Sequence, residues 1–291
     1  MIEIRHPGPL TTVQDAGRPG YAALAVPRSG AFDVAALALA NRLVGNPAGA
    51  AGLEITFGGL HLRCRAPLTL AFTGAPCPGA PDWGAAVTVP AGAEIRLGQP
   101  ESGVRSYLAV RGGVDVPPVL GSRSTDTLSG LGPAPIAAGD LLATGRSTGG
   151  PVSGASAAPA RSGDRLPVRF GPRDDWFTPA ARERLLVAEW TVRAAADRIG
   201  VRLDGPRLER AVPGELPSEP VLPGAVQVPP DGRPIVFGPD APVTGGYPVI
   251  AVVLDLAPVA QLRPGDRVRF RSAADAGRPT SARRPPPRPG W

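Results

Sequence analysis

The segment GSRSTDT, residues 121–127, contains residue types that bind small anions, and it directly follows an apolar stretch. Within it, Arg123 stands next to Ser124 and Thr125. A guanidinium can hold a planar carboxylate or carbamate through two parallel hydrogen bonds, and neighbouring hydroxyls add neutral donors. The segment therefore predicts an anion-binding loop. The alternative is a polar turn in which Arg123 makes a nearby salt bridge.

A second polar segment, VTGGYP, contains Thr244, the adjacent glycines Gly245 and Gly246, and Tyr247. Glycines allow the backbone to approach a ligand closely, and their N–H groups can donate to an oxyanion. The segment therefore predicts one wall of a binding site. The alternative is a tight turn in which Tyr247 fills the core.

Polar residues also interrupt apolar segments near the N-terminus. Gln14 and Asp15 lie between turn glycines in TTVQDAGRPGY. Asp33 lies in the first turn of a predicted helix, where a carboxylate also suits the helix dipole and can be a simple start signal. Asn41 follows eight residues later on roughly the same side of that helix, and a buried Asn needs a hydrogen-bond partner. These four residues are further site candidates.

The sequence lacks the residue sets of several familiar enzyme classes. Its only histidines are His6 and His61, its only cysteines are Cys64 and Cys77, and none of them has the spacing of a zinc site. We therefore expect no metal site, and no Gly-x-Ser-x-Gly segment supports a serine nucleophile. The chain has no lysine, which excludes a P-loop lysine, a Schiff base and covalent biotin on this chain. We expect the chain itself to bind no cofactor.

The composition favours a β-rich protein. Of 291 residues, 38 are Gly and 38 are Pro, and most of them separate short apolar runs, as in chains with many strands and turns. No apolar run reaches the roughly 18 residues that a membrane span needs. No secretory signal is visible, so we expect a cytoplasmic protein without a membrane partner.

The net charge of +6 is concentrated in two segments that we predict to be disordered. The linker 143–167 carries three Arg and one Asp, which gives +2, and the tail 271–291 carries five Arg and one Asp, which gives +4. The rest of the chain is therefore neutral overall. This distribution fits a solvated tail better than a shaped basic groove, so we expect no nucleic-acid partner.

The linker separates two predicted halves, residues 1–142 and 168–270. Both halves show short apolar runs at spacings typical of β-barrels or sandwiches. Helices are predicted over 32–44, which a glycine follows, and over 179–190, which Thr178 can cap. Strands are predicted over 53–57, 68–73, 86–89, 93–97, 105–110, 191–194, 225–228, 234–238, 248–254 and 267–270.

Several long segments, in a fixed order, resemble the biotin-dependent carboxyltransferase family. They are TTVQDAGRPGY, SGAFDVAALALANRLVGN, LEITFGG, FTGAP, YLAVRGGVDVPPVLGSRSTDT, GPRDDWFT, DRIGVRLDGP, PGAVQVPPDGRPIV and TGGYPVIAVV. This family includes the C subunit of 5-oxoprolinase, KipA, allophanate hydrolase subunit 2 and the matching domain of urea carboxylase. The resemblance covers both predicted halves, and long segments in order are more specific than any short motif.

The resemblance implies two tandem cyclophilin-like β-barrel domains with a few short helices and an active site in the cleft between them. It implies a component of 5-oxoprolinase, inactive alone, that works with an A-type and a B-type protein (the latter of the KipI or allophanate hydrolase subunit 1 type). Such a complex converts 5-oxo-L-proline to L-glutamate with ATP. Two alternatives stay open. One is a carboxyltransferase that moves a carboxyl group from biotin on a separate chain to urea or a related amide. The other is a KipA-type regulatory binding protein.

The residue types and the resemblance together give a set of expected site residues. The expected catalytic residues are Arg123, Asp33, Gln227 and Tyr247. The residues expected to bind a small amide substrate are Gln14, Asp15, Asn41, Ser124, Thr125, Thr244, Gly245 and Gly246. One segment departs from the family pattern: in GPDAPVTGGY, Pro242 and Val243 occupy positions that are usually polar. This departure removes one hydroxyl donor from the segment.

Overall fold

The computed structural model describes residues 1–146, 149–154 and 164–273. Within these ranges the protein is mainly β, with three α-helices and two short 3-10 helices, Ala22–Leu24 and Asp174–Trp176. The prediction of a mainly β fold with few helices is therefore confirmed. Much of the predicted linker and nearly all of the predicted tail lie outside the described residues. No helix in the described ranges is long and apolar enough to cross a membrane.

The first half contains ten strands in two five-stranded sheets that face each other across one core. The strands are β1 (Ile2–Pro7), β2 (Leu10–Gln14), β3 (Gly52–Thr56), β4 (Leu60–Cys64), β5 (Leu68–Gly74), β6 (Ala86–Val89), β7 (Glu94–Arg96), β8 (Arg105–Val110), β9 (Val114–Asp115) and β10 (Leu141–Thr144). One sheet has the order β7-β4-β1-β10-β9, and the other has the order β2-β3-β8-β5-β6. Ile4 and Leu62 of the first sheet and Ile55 and Phe72 of the second are fully buried between them.

Strand β8 is buried on both faces, because a helix covers the outer face of its sheet. Leu108 and Val110 belong to the core between the two sheets. Tyr107 and Ala109 instead pack with residues of helix α1 (Val34–Leu43). This burial explains why the segment RSYLAV is nearly continuous in apolar character and does not alternate with charged residues.

The second half contains nine strands in the described residues, and seven of them form a closed barrel. Its strands are β11 (Arg165–Phe170), β12 (Trp190–Val192), β13 (Gly200–Asp204), β14 (Glu219–Pro220), β15 (Ala225–Gln227), β16 (Ile235–Phe237), β17 (Thr244–Gly245), β18 (Val249–Val253) and β19 (Arg267–Ser272). The barrel order is β11-β18-β15-β16-β13-β12-β19, closed by the parallel pairing of β11 with β19. Strands β14 and β17 form a separate two-stranded sheet. One apolar core fills the barrel and includes Trp190, Val226, Ile250 and Phe270.

The predicted helices are present, and both are shorter than predicted: α1, predicted over 32–44, spans residues 34–43. Helix α1 begins after Asp33, whose carboxylate accepts a hydrogen bond from the Ala36 N–H at 2.9 Å. Helix α2 (Pro179–Val187) is capped by Thr178 but ends three residues before the predicted end at 190. It ends there because Trp190 starts β12 and buries its side chain in the barrel core. Helix α3 (Ala257–Ala260) was not predicted.

Every predicted strand overlaps an observed strand. Strands also reach into both ends of the predicted linker, since β10 ends at Thr144 and β11 begins at Arg165. Strands that were not predicted are β1, β2, β4, β9, β10, β11, β13, β14 and β17. Most of these are only a few residues long or contain charged and polar residues, so apolar alternation alone does not mark them.

Candidate functional site

A buried ion network joins the two halves. Arg198, which precedes β13 in the second half, is 2% exposed. Its Nε and Nη2 donate to the two carboxylate oxygens of Asp240, each at 2.8 Å. Its Nη1 donates to Glu54 Oε1 at 2.6 Å, and Glu54 lies on β3 of the first half. One guanidinium therefore neutralises a carboxylate from each half, and removing it would leave both carboxylates without their closest cation.

Asp240 collects two hydroxyl donors from the first half in addition to Arg198. Ser29 Oγ donates to Oδ1 at 2.7 Å, and the N–H and hydroxyl of Thr127 donate to Oδ2 at 2.9 and 2.7 Å. Burial alone would raise the pKa of Asp240, but the charge and hydrogen bonds of Arg198 outweigh burial and lower it. Asp240 is therefore held as a carboxylate and is a poor proton acceptor.

Glu54 extends the network along the interface. Its Oε2 accepts from the Tyr107 hydroxyl at 2.8 Å and from the Phe32 N–H at 2.9 Å. Arg105 Nε lies 3.4 Å from Glu54 Oε1, and its guanidinium lies over the Phe32 ring at 4.4 Å from the centroid. Burial, followed by the charge of Glu54, raises the pKa of Tyr107 well above its usual range. Tyr107 is therefore a neutral donor.

Asp33 is a buried carboxyl without a cation in contact among the described residues. Its Oδ1 caps α1, and its Oδ2 accepts from Gln261 Nε2 of the second half at 3.2 Å. Burial raises the pKa of Asp33, although the hydrogen bonds from Ala36 and Gln261 act in the opposite direction. Both carboxylate oxygens of Asp33 thus accept hydrogen bonds from the protein. One caps helix α1, and the other connects the first half to the second.

A cleft of about 450 Å³ lies between the two halves on one side of this network. We call it the apolar cleft, because its walls are mostly apolar. Ser29 is the buried polar residue in its lining, and Arg28 and Asp255 are exposed charged residues there. The remaining lining residues are Ala31, Phe32, Val34, Ala35, Ala38, Pro223, Pro239, Leu254, Leu256 and Ala257.

A second cavity, of about 270 Å³, also lies between the halves, and we call it the polar cavity. Its polar lining residues are Thr56, Arg105, Thr127, Asp197 and Arg198. Ser29 of the apolar cleft and Thr127 of the polar cavity donate to the same carboxylate, that of Asp240. The ion network therefore forms the wall between the two cavities.

The predicted anion-binding loop is held in place by Asp15. The Asp15 carboxylate accepts from the hydroxyls of Ser122 and Ser124 at 2.7 and 2.5 Å, and from the N–H groups of Gly17 and Arg123 at 2.8 and 2.6 Å. Asp15 and Ser124, both predicted to bind substrate, are thus brought together. Their hydrogen bonds hold the loop against the turn after β2.

The Arg123 side chain contacts its own side of the first half. Its Nε donates to the Val116 carbonyl at 2.7 Å, and its Nη2 lies 3.3 Å from Asp115 Oδ1. The side chain is 39% exposed and lines neither the apolar cleft nor the polar cavity. These contacts match the alternative stated above, a polar turn with a nearby salt bridge.

The other first-half candidates also make intramolecular contacts. Gln14 Nε2 donates to the Thr125 carbonyl at 2.9 Å, so these two candidates are neighbours behind the loop. Asn41 Nδ2 donates to the carbonyls of Ala48 and Ala50, and its Oδ1 accepts from Asn46. Asn41 is therefore the partnered buried Asn that the sequence required, and it fixes the turn after α1.

The second-half candidates form a separate group. Gln227 Nε2 donates to the Tyr247 carbonyl at 3.1 Å, and a side chain at Gly245 would collide with that same nitrogen. The segment 244–246 begins with β17 at the two-stranded sheet. Tyr247 is 43% exposed, with Arg210 6.0 Å from its ring centroid, so it does not fill the core. In the described ranges none of these residues lines the apolar cleft or the polar cavity.

Sequence reasoning missed the polar residues at the centre of the interface. Glu54 and Tyr107 each interrupt an apolar strand segment, LEITF and RSYLAV. A charged or hydroxyl-bearing residue within such a strand requires a buried partner, and that was the available signal. Ser29 has a φ of 53°, which is uncommon for a non-glycine residue and is visible only in the structure. In the described ranges no group of three His, Cys, Asp or Glu residues could hold a metal ion.

Comparisons with known proteins agree with this architecture. The family model "Carboxyltransferase domain, subdomain A and B" matches residues 24–272. The C subunit of 5-oxoprolinase from Escherichia coli (strain K12) is 39% identical over 280 residues, which cover 93% of this chain and 90% of that protein. The urea amidolyase of Lachancea kluyveri is 34% identical over 305 residues, which cover 92% of this chain and 17% of that protein.

Two solved structures are similar along nearly the whole chain. The crystal structure of TTHA0988 has a TM-score of 0.83 at 38% identity, covering 93% of this chain and 55% of that one. This chain thus spans about half the length of TTHA0988. The K. lactis urea amidolyase has a TM-score of 0.86 at 31% identity, covering 92% of this chain and 18% of that one. By the extent of these matches and the shared fold, the chain belongs to the family of the carboxyltransferase domain, subdomains A and B.

Proposed function

We propose that this chain is the C subunit of a 5-oxoprolinase, and that it works with an A-type and a B-type protein in the ATP-dependent cleavage of 5-oxo-L-proline to L-glutamate. The observation that carries the proposal is the 39% identity to the C subunit of a 5-oxoprolinase over 93% of this chain and 90% of that protein. A match over nearly the full length of both proteins favours the same role in the same kind of complex.

The apolar cleft suits a small cyclic amide. Ser29 Oγ lies within hydrogen-bond distance of two acceptors, Asp240 Oδ1 at 2.7 Å and the Thr125 carbonyl at 3.0 Å. With its one proton on the shorter bond, the oxygen keeps lone pairs that can accept from a substrate N–H. Because the pKa of Asp240 is lowered, Asp240 would not take the Ser29 proton. Ser29 is therefore a positioning residue in this proposal and not a nucleophile. Arg28, exposed at the cleft, supplies a cation for a substrate carboxylate.

The chain is expected to need its partners for the ATP-dependent part of the reaction. It has no lysine and no Gly-rich phosphate-binding segment, so phosphate binding by a P-loop is excluded for this chain. The cleft can hold and orient an amide, but the described residues around it include no obvious group to activate one. We therefore propose that activation of the amide takes place on the partner proteins.

A second candidate function is carboxyl transfer to urea or a related amide. It is favoured by the likeness to two urea amidolyases, one at 34% identity and one with a TM-score of 0.86. In this case biotin would be carried by a separate chain, because this chain has no lysine to bear it. Both candidates place a small amide in the same cleft, so they differ in the co-substrate and not in the amide site.

The test is reconstitution. The chain is purified alone and together with its A-type and B-type partner proteins, and L-glutamate release from 5-oxo-L-proline and ATP is measured. We expect release only from the full complex, with neither ATPase activity nor a streptavidin signal from the lone chain. Full activity without this chain would refute the first candidate. Carboxylation of urea by the chain with a biotinylated partner, in the absence of glutamate release, would establish the second.

Two variants test the cleft within that assay. Ser29→Ala should raise the KM for the amide by roughly 3- to 10-fold, because one hydrogen bond is lost. Arg28→Gln should raise KM similarly. The matched control is Arg202→Gln, an exposed arginine on the outside of the barrel that lines neither cavity. If the control and the cleft variants behave alike, the apolar cleft is not the amide site.

A further inference from the structure

The polar cavity contains a buried guanidinium whose hydrogen-bonding capacity is only partly used. Arg105 is 4% exposed and lines this cavity. Its Nη1 donates to the Ala260 carbonyl at 2.6 Å. Within the described chain its Nε makes no hydrogen bond, although Glu54 lies 3.4 Å away, and no hydrogen bond uses its Nη2. Nε is closed off from the cavity and faces Glu54, so Nη2 is the nitrogen of this guanidinium that can donate to a group in the cavity.

Glu54 lies on the Nε side of the guanidinium and does not engage Nη2. It already accepts from Arg198 at 2.6 Å, Tyr107 at 2.8 Å and the Phe32 N–H at 2.9 Å. Burial lowers the pKa of Arg105, and the charge of Glu54 only partly opposes this effect. In the described chain Glu54 is the carboxylate beside Arg105, and it is shared with Arg198, so a negatively charged group in the cavity would stabilise the Arg105 cation.

A hydroxyl lies on the same face of the sheet as Arg105. Thr56 is the direct cross-strand partner of Arg105 in the β3–β8 ladder, so the two side chains lie on the same face of the sheet. Thr56 also lines the polar cavity, and within the described residues its hydroxyl makes no hydrogen bond. It can therefore donate to an oxygen that Arg105 holds.

The cavity also contains a negative charge. Asp197 lines it and is exposed, and its Oδ1 accepts from the N–H groups of Ile199 and Gly200 at 2.8 and 2.9 Å. This charge disfavours polyanions such as phosphate dianions. A singly charged carboxylate is small enough for the cavity of about 270 Å³ and meets the least repulsion.

We propose that the polar cavity is a binding site for a small monocarboxylate, held by Nη2 of Arg105 and by the Thr56 hydroxyl. The site lies across the ion network from the apolar cleft and is separate from the amide site proposed above. It does not depend on the proposed activity, because its test is a binding measurement on the chain alone.

The experiment measures binding of ¹³C-labelled acetate to the full chain by NMR titration at constant ionic strength. All proteins carry Arg28→Gln, so that the free cation of the apolar cleft does not contribute. Three further substitutions are compared in this background: Thr56→Val, Arg105→Gln and Asp197→Asn. The control is Arg202→Gln on the outside of the barrel.

We expect saturable binding by the parent and the control. Thr56→Val should weaken binding roughly 3- to 10-fold and Arg105→Gln by more than about 10-fold. Asp197→Asn should tighten binding about 2- to 5-fold, because a like charge is removed while the hydrogen bonds to residues 199 and 200 are kept. A merely structural role of Asp197 could not produce tighter binding. If Arg105→Gln fails to fold, the affinities of Thr56→Val and Asp197→Asn for acetate test the proposal. Absence of saturable binding by the parent, or unchanged affinity in both of these variants, overturns the proposal.

Discussion

Replacing Arg198 with Met should strongly destabilise the protein, because it removes the cation between two buried carboxylates. Arg198 donates four hydrogen bonds of 2.6–2.8 Å: two to Asp240, one to Glu54 and one to the Gly30 carbonyl. Met fills a similar volume but neutralises no charge. After the substitution the remaining cation nearby is Arg105, which lies 3.4 Å from Glu54.

The size of the effect follows from the burial of the pair. Removing one partner of a buried ion pair costs about 3–5 kcal/mol in the free energy of unfolding. In domains of about 150–250 residues, each kcal/mol lowers Tm by roughly 2–4 °C, so Tm should fall by roughly 6–20 °C. The matched control is Arg267→Met. Arg267 lies 2.9 Å from Glu189 but is 72% exposed, so its loss should cost less than about 1 kcal/mol.

The assay is differential scanning calorimetry at neutral pH and at a series of acidic pH values. The pKa of Asp240 in the folded protein lies below its ordinary value of 3.8 because Arg198 outweighs the effect of burial. The stability contributed by this pair is therefore complete above pH 3.8 and is lost as the pH falls through the lower, folded-state pKa. The difference in Tm between wild type and Arg198→Met should narrow in the most acidic solutions.

A triple variant separates charge from shape. Arg198→Met combined with Glu54→Gln and Asp240→Asn removes the uncompensated charges, so it should regain a substantial part of the stability lost in the single variant. Two results would refute the reasoning. One is a fall in Tm for Arg198→Met no larger than for Arg267→Met, and the other is a triple variant no more stable than the single one.

Three further predictions concern the interface and the loop. Burial raises the pKa of Asp33, so the wild-type protein loses stability as Asp33 ionises with rising pH. The Asp33→Asn variant has no such group. Its free energy of unfolding in urea, relative to wild type, should therefore increase between about pH 3 and pH 7. A difference in the free energy of unfolding that stays constant with pH would contradict the raised pKa of Asp33. Tyr107→Phe should cost about 1–3 kcal/mol by urea unfolding, because Glu54 and the Asp33 N–H lose a buried partner. Its control Tyr21→Phe, whose hydroxyl makes no hydrogen bond within the described residues, should cost little. Arg123→Lys should lower stability by no more than about 1 kcal/mol and leave turnover of the reconstituted complex near wild type, since its side chain lines neither cavity. A tenfold loss of turnover in a folded variant would restore the anion-binding role of Arg123.

The secondary structure was predictable where a segment is both apolar and bounded by turn residues. Strand β5 and helix α1 are such segments, and both were found within a residue or two. Strand β1 was missed because IEIRHP mixes buried and exposed positions with charged residues. Strand β9 has two residues and exists because β10 pairs with it, so a distant segment determines it.

The candidate site was predictable only in part. Asp15 and the segment 121–127 were both identified as polar groups inside an apolar chain, and the structure joins them through hydrogen bonds across more than a hundred residues. The sequence could not show that these hydrogen bonds hold the loop in place. A serine that donates to a carboxylate of the protein has the same residue type as a serine that donates to a substrate. We expected Tyr247 either to line a binding site or to fill the core. In the structure its side chain is half exposed, next to the two-stranded sheet.

The sequence by itself determined the β-rich character, the absence of lysine chemistry and the family of the chain. These depend on composition and on long segments in a fixed order. Only the tertiary structure decided which arginines matter at the interface. Arg123 and Arg198 both follow an apolar stretch and precede a turn or strand in the sequence. One is 39% exposed beside Asp115, and the other is fully buried against Glu54, 144 residues away in the chain. The strength of an ion pair depends on burial and on which partner is close in space, and neither is encoded in the local sequence.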